Sequence, residues 1–241
     1  MHFLANPNRF IKLMDTFNPW VFSIFIISSI SGIIYALFIS PPDYQQGDSV
    51  RIMYVHVPSA WMALFSYTIM TLGSISYLIW KHPIGNLIAK GSAPIGALFT
   101  TLCLVTGMIW GKPMWGTYWV WDARLTSMLI LLFLFLGYIL IGRAFDNPEH
   151  ANRVSAIFAI AGSINLPIVK FSVDWWNTLH QPSIFSMQGI SVSNSMLIPL
   201  ILMTIAFHTY YFLVLMMNIR RQVLISKINN YEILNISKKN T

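Results

Sequence analysis

With 56% hydrophobic and only 10% charged residues and a mean hydropathy of +0.61, the 241-residue chain lies outside the range of soluble globular domains and belongs in a bilayer. Its net charge of +7 reads as the Lys and Arg excess that marks cytoplasmic loops, which argues against a nucleic-acid partner. The one cysteine, Cys103, sits in an apolar run as a small packing residue; no internal disulfide and no Cys-x-x-Cys-His attachment motif is possible, so the chain is not itself a c-type cytochrome.

Residues 1–19 are polar, carry Arg9 and Lys12, and precede an uncharged run from Trp20 to Ile39. A secretory signal has a shorter apolar core and a small-residue cleavage site, whereas about twenty apolar residues span ~30 Å of hydrocarbon as a retained helix. Further spans are predicted at 59–80, 94–110, 125–141, 154–169 and 195–217. The fold class expected is therefore all-α: one polytopic membrane domain over residues 1–241 with six transmembrane helices.

Orientation follows from the cations. With the N-terminus inside, Arg9, Lys12, Lys81, Lys90, Arg143, Arg153, Arg220, Arg221, Lys227, Lys238 and Lys239 lie on the cytoplasmic side, and only Arg51, Lys112, Arg124 and Lys170 outside. This bias predicts cytoplasmic termini and three outer loops on one face, 40–58, 111–124 and 170–194. Gly107-Met-Ile-Trp-Gly-Lys-Pro lacks the spacing and the Ser/Thr of a phosphate loop, so ATP hydrolysis by this chain is not expected. The tail from Gln222 to Thr241 reads as a mobile cytoplasmic extension.

The second outer loop holds the densest chemistry. Trp115, Tyr118, Trp119 and Trp121 crowd into residues 111–124 beside Lys112, Gly116, Asp122 and Arg124, with Trp110 just ahead. A headgroup belt needs one or two rings per helix end; four large rings with charges at their edge form a shelf for something large, flat and charged at its rim. Asp122 reads as the N-cap of the fourth helix.

Topology sorts the six histidines. His2, His82 and His150 fall among polar cytoplasmic residues. His208 lies inside the last helix, where Thr204 one turn earlier is a possible partner and a functional role is the alternative. His56 and His180 each stand two residues before a proline, Pro58 and Pro182, in outer loops. Proline favours a helix start, so each imidazole is expected just ahead of one, where the positive helix end keeps the ring neutral and fit to bind a metal.

The outer acids are too few for zinc, whereas two axial nitrogens over an aromatic shelf suit haem. Covering ~150 Å² of porphyrin face contributes roughly 4 kcal/mol before association costs, so the axial ligands must hold the group. Arg124, Lys112 and Arg51 are candidate partners of the propionates. For Lys112 and Arg124, snorkelling to headgroups is the alternative.

Trp-Gly-Thr-Tyr-Trp-Val-Trp-Asp-Ala-Arg-Leu-Thr-Ser, residues 115–127, resembles the tryptophan-rich WWD signature of proteins that handle haem in cytochrome c biogenesis. The chain as a whole resembles the CcmC family of haem exporters. The likeness runs through Pro42-Asp-Tyr-Gln-Gln-Gly, Arg51-Ile-Met-Tyr-Val-His-Val-Pro, Ala93-Pro-Ile-Gly-Ala, Gly111-Lys-Pro-Met-Trp, Asn165-Leu-Pro and Asp174-Trp-Trp-Asn-Thr-Leu-His-Gln.

The resemblance implies six helices in the bacterial inner membrane. It also implies non-covalent, transient haem b on the periplasmic face between the signature and axial ligands His56 and His180, with Trp115, Trp119, Trp121 and Asp122 matching the signature. The implied partners are the haem chaperone CcmE and an ABC-type complex of the ATPase CcmA, the membrane subunit CcmB and the small membrane protein CcmD. Tyr118 stands where some relatives have another tryptophan, and the loop after His180 is short. The rival readings are a haem lyase, the non-catalytic permease subunit of an ABC transporter, and a membrane b-type cytochrome, whose paired histidines would lie within helices.

Overall fold

In the computed structural model, which describes residues 6–181, 184–186 and 189–239, seven α-helices form an all-α bundle. They are α1 (Pro7–Ile34), α2 (Met53–Trp80), α3 (Pro83–Trp115), α4 (Ala123–Ile141), α5 (Pro148–Gly162), α6 (Asn165–Trp175) and α7 (Asn194–Lys239). Six segments are long and apolar enough to cross a membrane, with α5 and α6 together forming the fifth. A two-residue antiparallel pair, β1 (Phe185–Ser186) and β2 (Gly189–Ile190), is the small addition to the expected class.

Local chemistry fixes the helix ends. Asn6 caps α1 by accepting from Asn8 N at 2.9 Å, with Pro7 at its first position. A π-helical turn (Tyr35–Ile39) ends α1 at Ser40, whose hydroxyl hydrogen-bonds that of Tyr54 on α2. Between them, Asp43 Oδ1 accepts from the amides of Gln45 and Gln46, and Gly47 at φ 56° closes the turn. A 3₁₀ turn (Asp48–Ile52) then runs directly into α2.

α2 and α3 form an antiparallel hairpin through Lys81, and small residues let their backbones touch. A Cβ on Gly73 would lie 2.6 Å from the Gly85 carbonyl, the close approach that substitutes for a hydrophobic drive between helices in lipid. Met62, Met70, Phe99, Leu131 and Phe135 fill the core between α2, α3 and α4. α7 packs along α1 and reaches α2 and α3.

Several boundaries differ from the expectations. α3 begins eleven residues before the predicted position 94 and runs through Pro94, and α2 begins at Met53, six before 59. Membrane helices carry proline where neighbouring helices absorb the freed carbonyl. The expected mobile tail is helical, since α7 continues through it to Lys239, while Asn240 and Thr241, like His2, lie outside the described residues. The fifth span breaks at Ser163 and Ile164, and Asn165 steadies the elbow by donating its amide to the Ser127 carbonyl on α4 at 2.9 Å.

Candidate haem-handling site

The segments around residues 46, 110–122 and 178–180 meet at one end of the bundle. Trp110 Nε1 donates to Gln46 Oε1 at 2.8 Å, joining the first loop to α3. The Thr178 hydroxyl donates to Asp122 Oδ2, joining the segment after α6 to the start of α4. His56 and His180 meet between them, with ring centroids 6.2 Å apart and planes inclined by 33°.

His56 does not occupy the predicted place. It lies within α2, 8% exposed, because the helical run starts at Asp48 and Pro58 falls inside the helix. The position of His180 is corrected too: it follows the end of α6, and the next helix, α7, starts only at Asn194. Pro182, on which that expectation rested, is outside the described residues. A helix start therefore does not account for neutral imidazoles here. Burial first, and then the nearby Arg124 guanidinium, push the His180 pKa down.

Each ring is oriented through the same nitrogen. His56 Nδ1 lies 3.0 Å from the Cys103 carbonyl and 3.1 Å from the Thr106 hydroxyl, and His180 Nδ1 lies 3.0 Å from the Gln181 carbonyl. Carbonyl oxygens only accept, so each Nδ1 carries the hydrogen and each Nε2 keeps its lone pair, the arrangement that orients metal-binding histidines. Gly107 makes room for the first ring, since a Cβ there would sit 2.9 Å from His56 Cε1. Among the described residues, no group of three or more His, Cys, Asp and Glu side chains could hold a metal ion; this face offers two imidazoles.

The aromatic residues surround that pair unequally. Trp110 meets His56 edge-on at 5.6 Å, and Trp115 lies 6.4 Å from His180. Trp119 and Trp121 contact each other at 5.3 Å and 75°. Trp121 is 76% exposed and Tyr118 is also open to the outside. The Trp119 indole N–H is buried without a hydrogen-bond partner among the described residues, a donor whose desolvation is uncompensated. Beside this loop opens a cleft of about 440 Å³ whose walls are Val120, Trp121, Asp122 and Ala123 on one side and Trp176, Asn177, Thr178 and Leu179 on the other.

The charged residues have structural partners as well. Asp122 caps α4 by accepting from Leu125 N at 2.8 Å, as predicted. Arg124 Nη1 donates to the Val169 carbonyl of α6 at 3.1 Å. Arg51 pairs with Asp48 at 3.0 Å and donates to the Ala36 carbonyl. Lys112 donates to the Gly116 carbonyl at 2.9 Å and stands 5.2 Å from the centre of the Tyr118 ring. His208 Nδ1 lies 2.8 Å from the Thr204 carbonyl one turn earlier, so Thr204 serves it within one helix.

Sequence reasoning passed over Cys103, Thr106, Gly107 and Thr178 as parts of this site. A carbonyl partner carries no side-chain signature, and the role of Gly107 depends on which helix crosses it. Thr178, close to His180 and able to both donate and accept, was the one visible signal.

A six-span helical membrane protein with paired imidazoles and an aromatic loop at one end is the class that the fold and the site define. The family model described as Heme exporter protein C matches residues 1–233, and the chain belongs to that family. It is 46% identical over 236 residues, 98% of this chain and 89% of the relative, to the Heme exporter protein C of Bradyrhizobium diazoefficiens. Its identity to the Escherichia coli K12 protein of the same name is 46% over 190 residues, 79% and 78% of the two chains. A putative cytochrome c biosynthesis ccmC-like mitochondrial protein of Marchantia polymorpha is 52% identical over 182 residues, 76% of each. Six spans and bacterial relatives fit a multi-pass protein of the bacterial inner membrane.

Proposed function

We propose that the chain transports haem for cytochrome c maturation by binding it on the periplasmic face, with His56 and His180 as axial ligands, and presenting it to the chaperone CcmE. The observation that carries this reading is the imidazole pair at 6.2 Å. Two imidazoles bonded at about 2 Å to opposite sides of one metal ion have ring centres roughly 6 Å apart. Both Nε2 lone pairs are free for such bonds, because both Nδ1 atoms face carbonyls.

The exposed Trp121 and the neighbouring Tyr118 offer apolar cover for a porphyrin edge. Arg124 and Arg51, although tethered, add positive charge on the same side. Haem here is cargo, held as non-covalent haem b and released, so the chain acts as a carrier with an external energy source. CcmA, CcmB and CcmD are the partners proposed for that role, consistent with the family. The visible spectrum of the purified chain tests the proposal: a six-coordinate, low-spin haem signature is expected, and purified protein that takes up no haem would sink it.

A further inference from the structure

We propose that Thr178 is a positioning residue through which the Asp122 carboxylate fixes the backbone of His180, an inference resting on the axial-ligand reading above. Asp122 uses its two oxygens differently. Oδ1 accepts from Leu125 N at 2.8 Å and is locked to the first turn of α4. Oδ2 accepts the Thr178 hydroxyl hydrogen, and the same Thr178 oxygen accepts from the His180 amide at 3.0 Å. The chain thus runs from a rigid helix end, through one carboxylate and one hydroxyl, to the backbone of the ligand.

The tether matters because of what the segment around His180 lacks. Trp176 leaves α6 in an extended conformation, φ −132° and ψ 151°. His180 Nδ1 is held by the carbonyl of its own neighbour, Gln181, a hydrogen bond within the segment; towards the bundle the ring meets Trp115 and His56. Among the described residues, the Thr178 hydroxyl provides the hydrogen bond from residues 177–181 to a helix other than α6. His56, by contrast, is built into α2 and bonded to α3. The aspartate of the signature therefore sets the distance between the two imidazoles, and the bond also ties together the two walls of the cleft. Threonine suits this place because one hydroxyl donates and accepts at once; serine keeps both functions and valine has neither.

Thr178→Val, Thr178→Ser and the wild type separate the possibilities, with Thr178→Ala in place of valine if that variant is not recovered. In haem-loaded protein the valine variant is expected to lose most of the low-spin six-coordinate absorbance and gain a five-coordinate component, and the serine variant to restore the wild-type spectrum. In haem-free protein the His180 amide should exchange roughly tenfold faster in the valine variant, the ratio given by loss of one ordinary hydrogen bond, and at the wild-type rate in the serine variant. A valine variant with unchanged spectrum and unchanged amide protection overturns the tether and leaves the axial assignment standing. Failure of serine to rescue also overturns it, since packing of the methyl group would then be the cause. If His180→Gly leaves the haem spectrum intact, the axial reading fails, and amide exchange alone still decides the tether.

Discussion

His56 and His180 lie 6.2 Å apart, centroid to centroid, on different kinds of element: the first inside α2, the second on a segment beyond α6. As proposed ligands of one haem they should respond alike to substitution. His56→Gly or His180→Gly is expected to leave a five-coordinate haem, and free imidazole to restore the six-coordinate spectrum, whereas the double variant should retain almost none through purification. The face contact that remains in the double variant is worth only roughly 4 kcal/mol before association costs. His208→Ala should leave the spectrum unchanged; an intact spectrum in the double variant would refute the assignment.

Gly107 gauges the position of the first ring. A Cβ there would stand 2.9 Å from Cε1 and 3.4 Å from Nδ1 of His56, so Gly107→Ala must displace the imidazole by a few tenths of an ångström. Reduced low-spin haem with normal protein abundance is the expected outcome, and Gly107→Leu should abolish binding. Wild-type haem content in the leucine variant would show that this contact does not position the ring.

The aromatic loop should act in binding rather than in anchoring. Trp119→Ala with Trp121→Ala is expected to lower haem occupancy several-fold while abundance stays near normal, the double change removing two large apolar faces. Trp20, 72% exposed on α1, is the matched belt residue. Equal loss of haem from Trp20→Ala would show that the tryptophans serve only membrane placement.

Acid release of haem should be shifted by the environment of His180. Burial and Arg124 depress its pKa, so the ring stays neutral, and able to bind metal, below the ordinary imidazole value of about 6.5. Retention is therefore expected to hold as pH falls through that value and to fail only under more acid conditions. A midpoint of loss at or above about 6.5 in a spectroscopic titration would contradict this sign.

Cytoplasmic termini are a further proposal, drawn from the distribution of Lys and Arg. Cysteines placed at the exposed positions Gln45, Thr117 and Asn177 should react with an impermeant thiol reagent from the periplasm, and one at exposed Asn147 should not. Reaction at Asn147 alone would invert the orientation.

The spans were legible in the sequence because an uncharged apolar run of about twenty residues has few alternatives in a bilayer. Their ends were not, since helices such as α3 extend beyond the apolar stretch and through Pro94. Pro58 misled in the same way: read as a helix start, it sits inside α2, and the truer signal was Asp48 opening the 3₁₀ turn. The capping role of Asp122 is set by local chemistry and so is legible in the sequence. Its second bond, to Thr178, depends on where α6 ends against α4, and only the fold supplies that.

The elbow between α5 and α6 bears on how the protein is made. With 15 and 11 residues, the two pieces are roughly 22 and 16 Å long, each shorter than the ~30 Å hydrocarbon layer. Neither can insert as a stable solitary anchor. The Asn165 amide would face lipid unpaired until the Ser127 carbonyl of α4 receives it. Biogenesis of the fifth span is thus expected to be helped by the fourth: residues 148–175, which joined are long and apolar enough to cross, should insert into a reporter less efficiently alone than when preceded by α4.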